Sequence, residues 1–155
     1  MAGAREQSDF TLILGGSHAG RHDYARGVAG TYGLPIASLG WRGAGGAEAL
    51  PNSLAPFDAV SRERQPGRVL LLADLQPWLV SARHDDADAL LTAIDRTAGP
   101  LIVVSREAGM GIVPLEADQR RHRDDLGRLN QALSRRAART VLVVAGLPLT
   151  LGSAS

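Results

Sequence analysis

A chain of 155 residues is one domain by size, and such a chain buries roughly two-thirds of its unfolded surface on folding. A net charge of +1 argues against a dedicated nucleic-acid binder, and no apolar run approaches the roughly 20 residues that cross a bilayer as a helix. The absence of cysteine excludes a disulfide framework and a thiolate metal site or nucleophile, and Met1 to Gln7 lacks a signal-peptide core, so the expected location is cytoplasmic.

All 17 basic residues are Arg, which with abundant Ala and Gly fits a GC-rich coding bias. The first expected element is a buried parallel strand at Phe10–Leu14, a short apolar run closed by glycine. It feeds Gly15-Gly16-Ser17-His18-Ala19-Gly20-Arg21-His22. A strand, a glycine-rich turn and a helix start make a phosphate loop, because backbone N–H groups and a helix N-terminus converge on one anion. The Gly15-x4-Gly20 spacing fits a Walker A frame, which then requires Lys and Ser or Thr; Arg21 and His22 stand there instead.

A helix from near Gly20 carries Tyr24, Ala25, Val28 and Tyr32 at helical spacing and stops at Gly33 and Pro35. Leu34–Leu39 reads as a second strand. Residues 40–67, punctuated by Gly and Pro, are expected to be irregular apart from a short helix near Phe57 to Arg62. Val69–Asp74 is a buried strand ending in a carboxylate, and Asp85 or Asp86 caps a helix with Leu90, Leu91 and Ile94 inward. Gly99-Pro100 closes it. Leu101–Ser105 is the next strand, entering a glycine-rich loop from Arg106 to Pro114. The longest helix spans Ala117 to Ala138 with Leu126, Leu129 and Leu133 on one face. Val141–Ala145 is read as the last strand, ended by Gly146 and Pro148, with a frayed tail from Gly152.

Strands alternating with helices predict an α/β fold with a mostly parallel sheet covered on both faces. Ligands bind such sheets beyond the strand C-termini, where Gly15 to His22, Asp74 and Ser105 to Gly111 all fall. Asp74 stands where a P-loop NTPase places the acid that holds Mg2+, though an acid there also serves as a helix cap or turn residue. Arg120, Arg121 and Arg123 would form either a solvated face or a phosphate contact. His84 is read as a surface residue, and no pair of histidines has the spacing of a helical metal site, so no metal is proposed.

Val104 to Pro114, Arg121 to Gln131 and Val143 to Leu149 closely resemble the adenosylcobinamide kinase / adenosylcobinamide-phosphate guanylyltransferase family. Leu72-Ala73-Asp74-Leu75-Gln76-Pro77-Trp78-Leu79 is similar to that family's second motif. The resemblance implies a RecA-like P-loop fold, commonly trimeric, acting on cobinamide with a nucleoside triphosphate and then moving GMP through a guanylylated histidine. By position it matches Gly15, Gly16 and Gly20 to the phosphate loop, Asp74 to the Walker B acid and Glu107 to the acid of a Ser-x-Glu segment. The departures fall on the chemistry. Arg21 and His22 replace the loop's Lys and Ser, and no histidine lies between Asp23 and Arg83, where the guanylylated residue belongs. GTP or ATP with Mg2+ is therefore expected only if the ancestral activity survives.

The expected function is a repurposed enzyme that binds a small anionic or polar molecule. His22, Asp74 and Glu107 form its titratable core, Arg21 its anion clamp, and Gly15, Gly16, Ser17, His18 and Gly20 its loop. His22 merely capping a helix turn is the simpler alternative. A residual cobinamide kinase and a non-catalytic partner subunit are the competing functions.

Overall fold

The computed structural model describes residues 9–40, 47–83, 85–107 and 113–152. Seven strands form one sheet: β1 (Phe10–Gly15), β2 (Ile36–Leu39), β3 (Ala47–Ala49), β4 (Val69–Ala73), β5 (Leu101–Arg106), β6 (Arg139–Val144) and β7 (Leu147–Leu151). Their spatial order is β3-β2-β4-β5-β1-β6-β7, and every pairing is parallel except the terminal β6–β7 hairpin. The helices are α1 (Arg21–Gly30), α2 (Pro56–Glu63), α3 (Leu75–Ser81), α4 (Asp86–Arg96) and α5 (Ala117–Arg136).

Alternation along the strands divides the core in two. Phe10, Leu12, Leu70, Leu72, Leu101 and Val103 face α2, α4 and α5, while Ile13, Val69, Leu71, Ile102, Val104 and Val141 face Ala25 and Ala29 of α1. Both sheet faces are thus covered, so the four central strands are apolar on both sides, as parallel strands must be.

Three elements depart from the sequence expectation. The irregular stretch 40–67 contains β3, held parallel to β2 in the register Ile36↔Ala47. α3 follows Asp74 directly; Pro77 is tolerated there because its missing N–H falls in the unpaired first turn. Pro148 does not end the sheet: it sits in β7, opposite Val143, on an edge where no further strand needs its N–H. The segment expected as a loop from Arg106 to Pro114 lies partly outside the described residues, as do His84 and most of the tail.

Candidate active site

The C-terminal ends of β1, β4 and β5 meet at one edge of the sheet. Gly15 closes β1 because a side chain there would press on Val143 O at 3.1 Å and on the Cβ of Arg21 at 3.3 Å. The loop then turns on Ala19 N–H to Gly16 O (3.3 Å) and enters α1 through Gly20, whose φ of 87° favours glycine. Backbone bonds fix the loop from two sides: Glu107 N–H donates to Gly15 O (3.1 Å), and Gly146 N–H donates to Ala19 O (2.8 Å). Ser17 and His18 form the exposed crest, His18 with a positive φ of 58°.

Asp74 reaches this loop from β4, which lies across β5 rather than beside β1. Its backbone is left-handed (φ 50°, ψ 71°), sparsely populated for a residue with a Cβ and worth about 1–2 kcal/mol of strain. It occupies the N-cap position of α3, yet its carboxylate makes no capping hydrogen bond. Instead Asp74 Oδ1 accepts from Arg21 Nη2 at 3.0 Å and lies 3.3 Å from His22 Nε2. Arg21 and His22 therefore converge on one carboxylate oxygen.

Arg21 is buried. Its Nη1 donates to Gly16 O at 2.7 Å, so the guanidinium threads beneath the loop and ties it to Asp74. A clamp for a ligand anion would need exposed donors; this guanidinium instead spends them on the protein itself. His22 differs, with its side chain 41% exposed beside an Asp74 that is 34% exposed. Both line a cavity of about 760 Å³ whose walls include Leu39, Leu54, Trp78 and, at the polar end, Arg26. Phe57 packs edge-on against Trp78 with ring centroids 6.5 Å apart, supporting that wall. At Gly40 (φ 75°) a Cβ would approach Ala73 O to 2.5 Å, so only glycine lets β2 close against β4 at the cavity rim.

Glu107 is placed elsewhere. Its backbone touches the loop, but its side chain lines a different cavity of about 790 Å³ with Arg123, Asp124, Asn130 and Gln131. The structure thus brings His22, Asp74 and Arg21 together and separates Glu107 from them. Arg120 bonds the carbonyl of Pro114 and Arg121 lies 3.8 Å from Asp118. Sequence reasoning missed the cavity walls Leu54 and Trp78 as a lining, because they come from α3 and from the stretch read as irregular.

A Walker site holds Mg2+ through oxygen donors, a carboxylate and a hydroxyl. Here an imidazole and a guanidinium already face the carboxylate oxygen. These residues do not fit the ion.

A family model described as cobinamide kinase / cobinamide phosphate guanyltransferase matches residues 55–151. The chain belongs to this family. The matched span includes Asp74 and begins after the glycine loop. The bifunctional adenosylcobalamin biosynthesis protein CobP of Pseudomonas aeruginosa is 33% identical over 165 residues, covering 90% of this chain and 95% of that protein. CobU of Salmonella typhimurium, also described as a bifunctional adenosylcobalamin biosynthesis protein, is 36% identical over 105 residues, covering 61% of this chain and 58% of its own length. A solved protein of Pyrococcus horikoshii OT3 superposes with a TM-score of 0.50 over 91% of this chain and 84% of that one, at 8% identity, which speaks to fold alone. The architecture is the α/β RecA-like P-loop fold of the cobinamide kinase family, with the acid-bearing strand one removed from the loop strand. Among the described residues, no helix is long and apolar enough to cross a membrane.

Proposed function

We propose that this family member does not perform guanylyl transfer and instead uses the His22–Asp74 pair for proton transfer on a small polar or anionic substrate. The observation that carries the reading is the 3.3 Å approach of His22 Nε2 to Asp74 Oδ1 in the lining of the cavity. A carboxylate beside one ring nitrogen fixes the imidazole's orientation. The imidazole, 41% exposed, faces the cavity, where it can exchange a proton with a bound molecule. Arg21 acts through Asp74: its buried guanidinium holds the carboxylate in place beside His22, a positioning role. The apolar walls at Leu39, Leu54 and Trp78 suit a substrate with an apolar body, and Arg26 suits an acidic group on it. Guanylyl transfer by the family route lacks its nucleophile, since no histidine lies from residue 23 to 83.

The test is replacement in the producing cell. His22→Gln and Asp74→Asn, each at normal protein level, are expected to remove the chain's metabolic product as fully as deletion does. Intact output from both would favour a non-catalytic partner subunit and sink the proposal.

One observation favours a second reading, a residual nucleotide-dependent kinase: the glycine frame from Gly15 to Gly20 keeps its turn and its helix N-terminus. GTP or ATP with Mg2+ raising the melting temperature would support it. Single electrostatic contacts of the lost type are worth about 3–4 kcal/mol in such enzymes, which weighs against turnover.

A further inference from the structure

We infer that the Arg21 guanidinium is a built-in replacement for the divalent cation of this site, so that the loop and Asp74 work without one. The inference concerns the ion alone and holds whether or not His22 transfers protons.

Three observations carry it. Arg21 Nη2 stands 3.0 Å from Asp74 Oδ1, so a cation already faces the carboxylate a metal would use, and His22 Nε2 approaches the same atom at 3.3 Å. Arg21 is also anchored from behind by Gly16 O at 2.7 Å and is 7% exposed, so it is held in place rather than resting on a surface. Finally, among the described residues, the buried side-chain polar atom without a hydrogen-bond partner is Arg21 Nε. The buried polar atom to spare beside Asp74 is therefore a donor, which a metal ion cannot use.

Charge explains why the two cations exclude one another. A divalent ion on Asp74 would sit within a few ångströms of a desolvated guanidinium, where like charges repel far more strongly than in water. Moving Arg21 aside would leave its charge without Asp74 and Gly16 O, and an arginine cannot escape by losing its proton. Filling the position with a side chain also removes the ion's dependence on concentration: the positive charge is always present.

Mn2+ is the probe, read by loss of its free electron paramagnetic resonance signal, alone and with GTP. Wild-type protein is expected to leave the free signal as it is in buffer. The Arg21→Lys/His22→Ser double variant, which returns a compact ammonium and a hydroxyl, is expected to retain Mn2+ at least about tenfold more tightly, and Asp74→Asn added to it to abolish the gain. Arg21→Gln removes the charge without supplying a hydroxyl at residue 22, and it should show a smaller gain in the same direction. Folding of each variant is checked by thermal melting. Retention by wild-type that disappears in Asp74→Asn would overturn the inference. So would folded double and Arg21→Gln variants that hold no more Mn2+ than wild-type, because Arg21 would then not be what keeps the ion away.

Discussion

Gly20 and Gly146 lie backbone against backbone: a methyl group on Gly20 would come within 3.1 Å of the Cα of Gly146. The start of α1 and the β6–β7 turn are therefore packed at a separation that leaves no room for a side chain at position 20. Gly20→Ala combines this overlap with a left-handed φ of 87°, a conformation that costs an alanine about 1–2 kcal/mol by itself. The variant is expected to lose about 2–3 kcal/mol in urea unfolding, with the slope unchanged.

Asp74→Asn should destabilise the chain although its carboxylate is partly exposed. The substitution strips the buried Arg21 of its counter-charge, and an uncompensated buried charge is costly. Because Asn still accepts a hydrogen bond and solvent reaches the site, the expected loss is about 1–3 kcal/mol by denaturant titration. Asp74→Asn with Arg21→Gln together should cost less than the two single changes summed, and additivity would count against the pairing.

Arg64 performs a purely structural task. Its Nε and Nη1 donate at 2.9 Å to the carbonyls of Gly99 and Ile94, closing the C-terminal end of α4 from inside the protein. Burial lowers its pKa, and Asp9 opposes that shift. Arg64→Met retains the stem but leaves those carbonyls unpaired, with an expected cost of about 2–4 kcal/mol. Calorimetric melting would show it as a fall of several degrees.

Ser105 and Asn130 join β5 to α5 through a buried hydrogen bond of 2.7 Å, and Asn130 Nδ2 continues to Arg106 O at 2.9 Å. Asn130→Leu strands both the Ser105 hydroxyl and that carbonyl, so about 2 kcal/mol should be lost. The double variant Ser105→Ala/Asn130→Leu should recover part of it. No recovery would mean that the cost lies in packing rather than in the polar pair.

Tyr32 provides a pH signature. Burial first, and then the charge of Asp9, raise its pKa above the ordinary 10.0, against a lowering by Arg139. The folded state thus holds the phenolic proton more tightly than the unfolded chain does. Its contribution is complete below pH 10 and is lost as pH rises through the raised value. Stability should fall less steeply with alkaline pH in Tyr32→Phe than in wild-type, and an ultraviolet titration should show one of the two tyrosines ionising late.

Much of this architecture could be read from residues alone, for reasons specific to each element. Phe10–Gly15, Val69–Ala73 and Leu101–Arg106 announce themselves because strands covered on both faces must be apolar throughout. Ala47-Glu48-Ala49 does not: it has no β-branched or aromatic residue, and its pairing comes from β2, including Leu50 N–H to Ser38 O at 2.7 Å. The last hairpin was hidden for a different reason. Its turn places Ala145 and Gly146 at positive φ (50° and 75°), as a two-residue primed turn needs, but Ala-Gly lacks the Asn-Gly signature that marks such turns. At the site, Gly15, Arg21, His22 and Asp74 were legible by spacing. The tie between Arg21 and Asp74, 53 residues apart, was not, because sequence shows that a lysine is missing and not where the arginine goes.

The division of the core has a consequence for how the molecule opens. On one sheet face α2, α4 and α5 share the covering, whereas on the other α1 is the helix that supplies buried residues, Ala25 and Ala29. That same helix begins with Arg21 and His22. A fluctuation that peels α1 from the sheet therefore wets the smaller of the two core layers and dismantles the site in a single motion. Amide exchange along α1 should report both events at one rate.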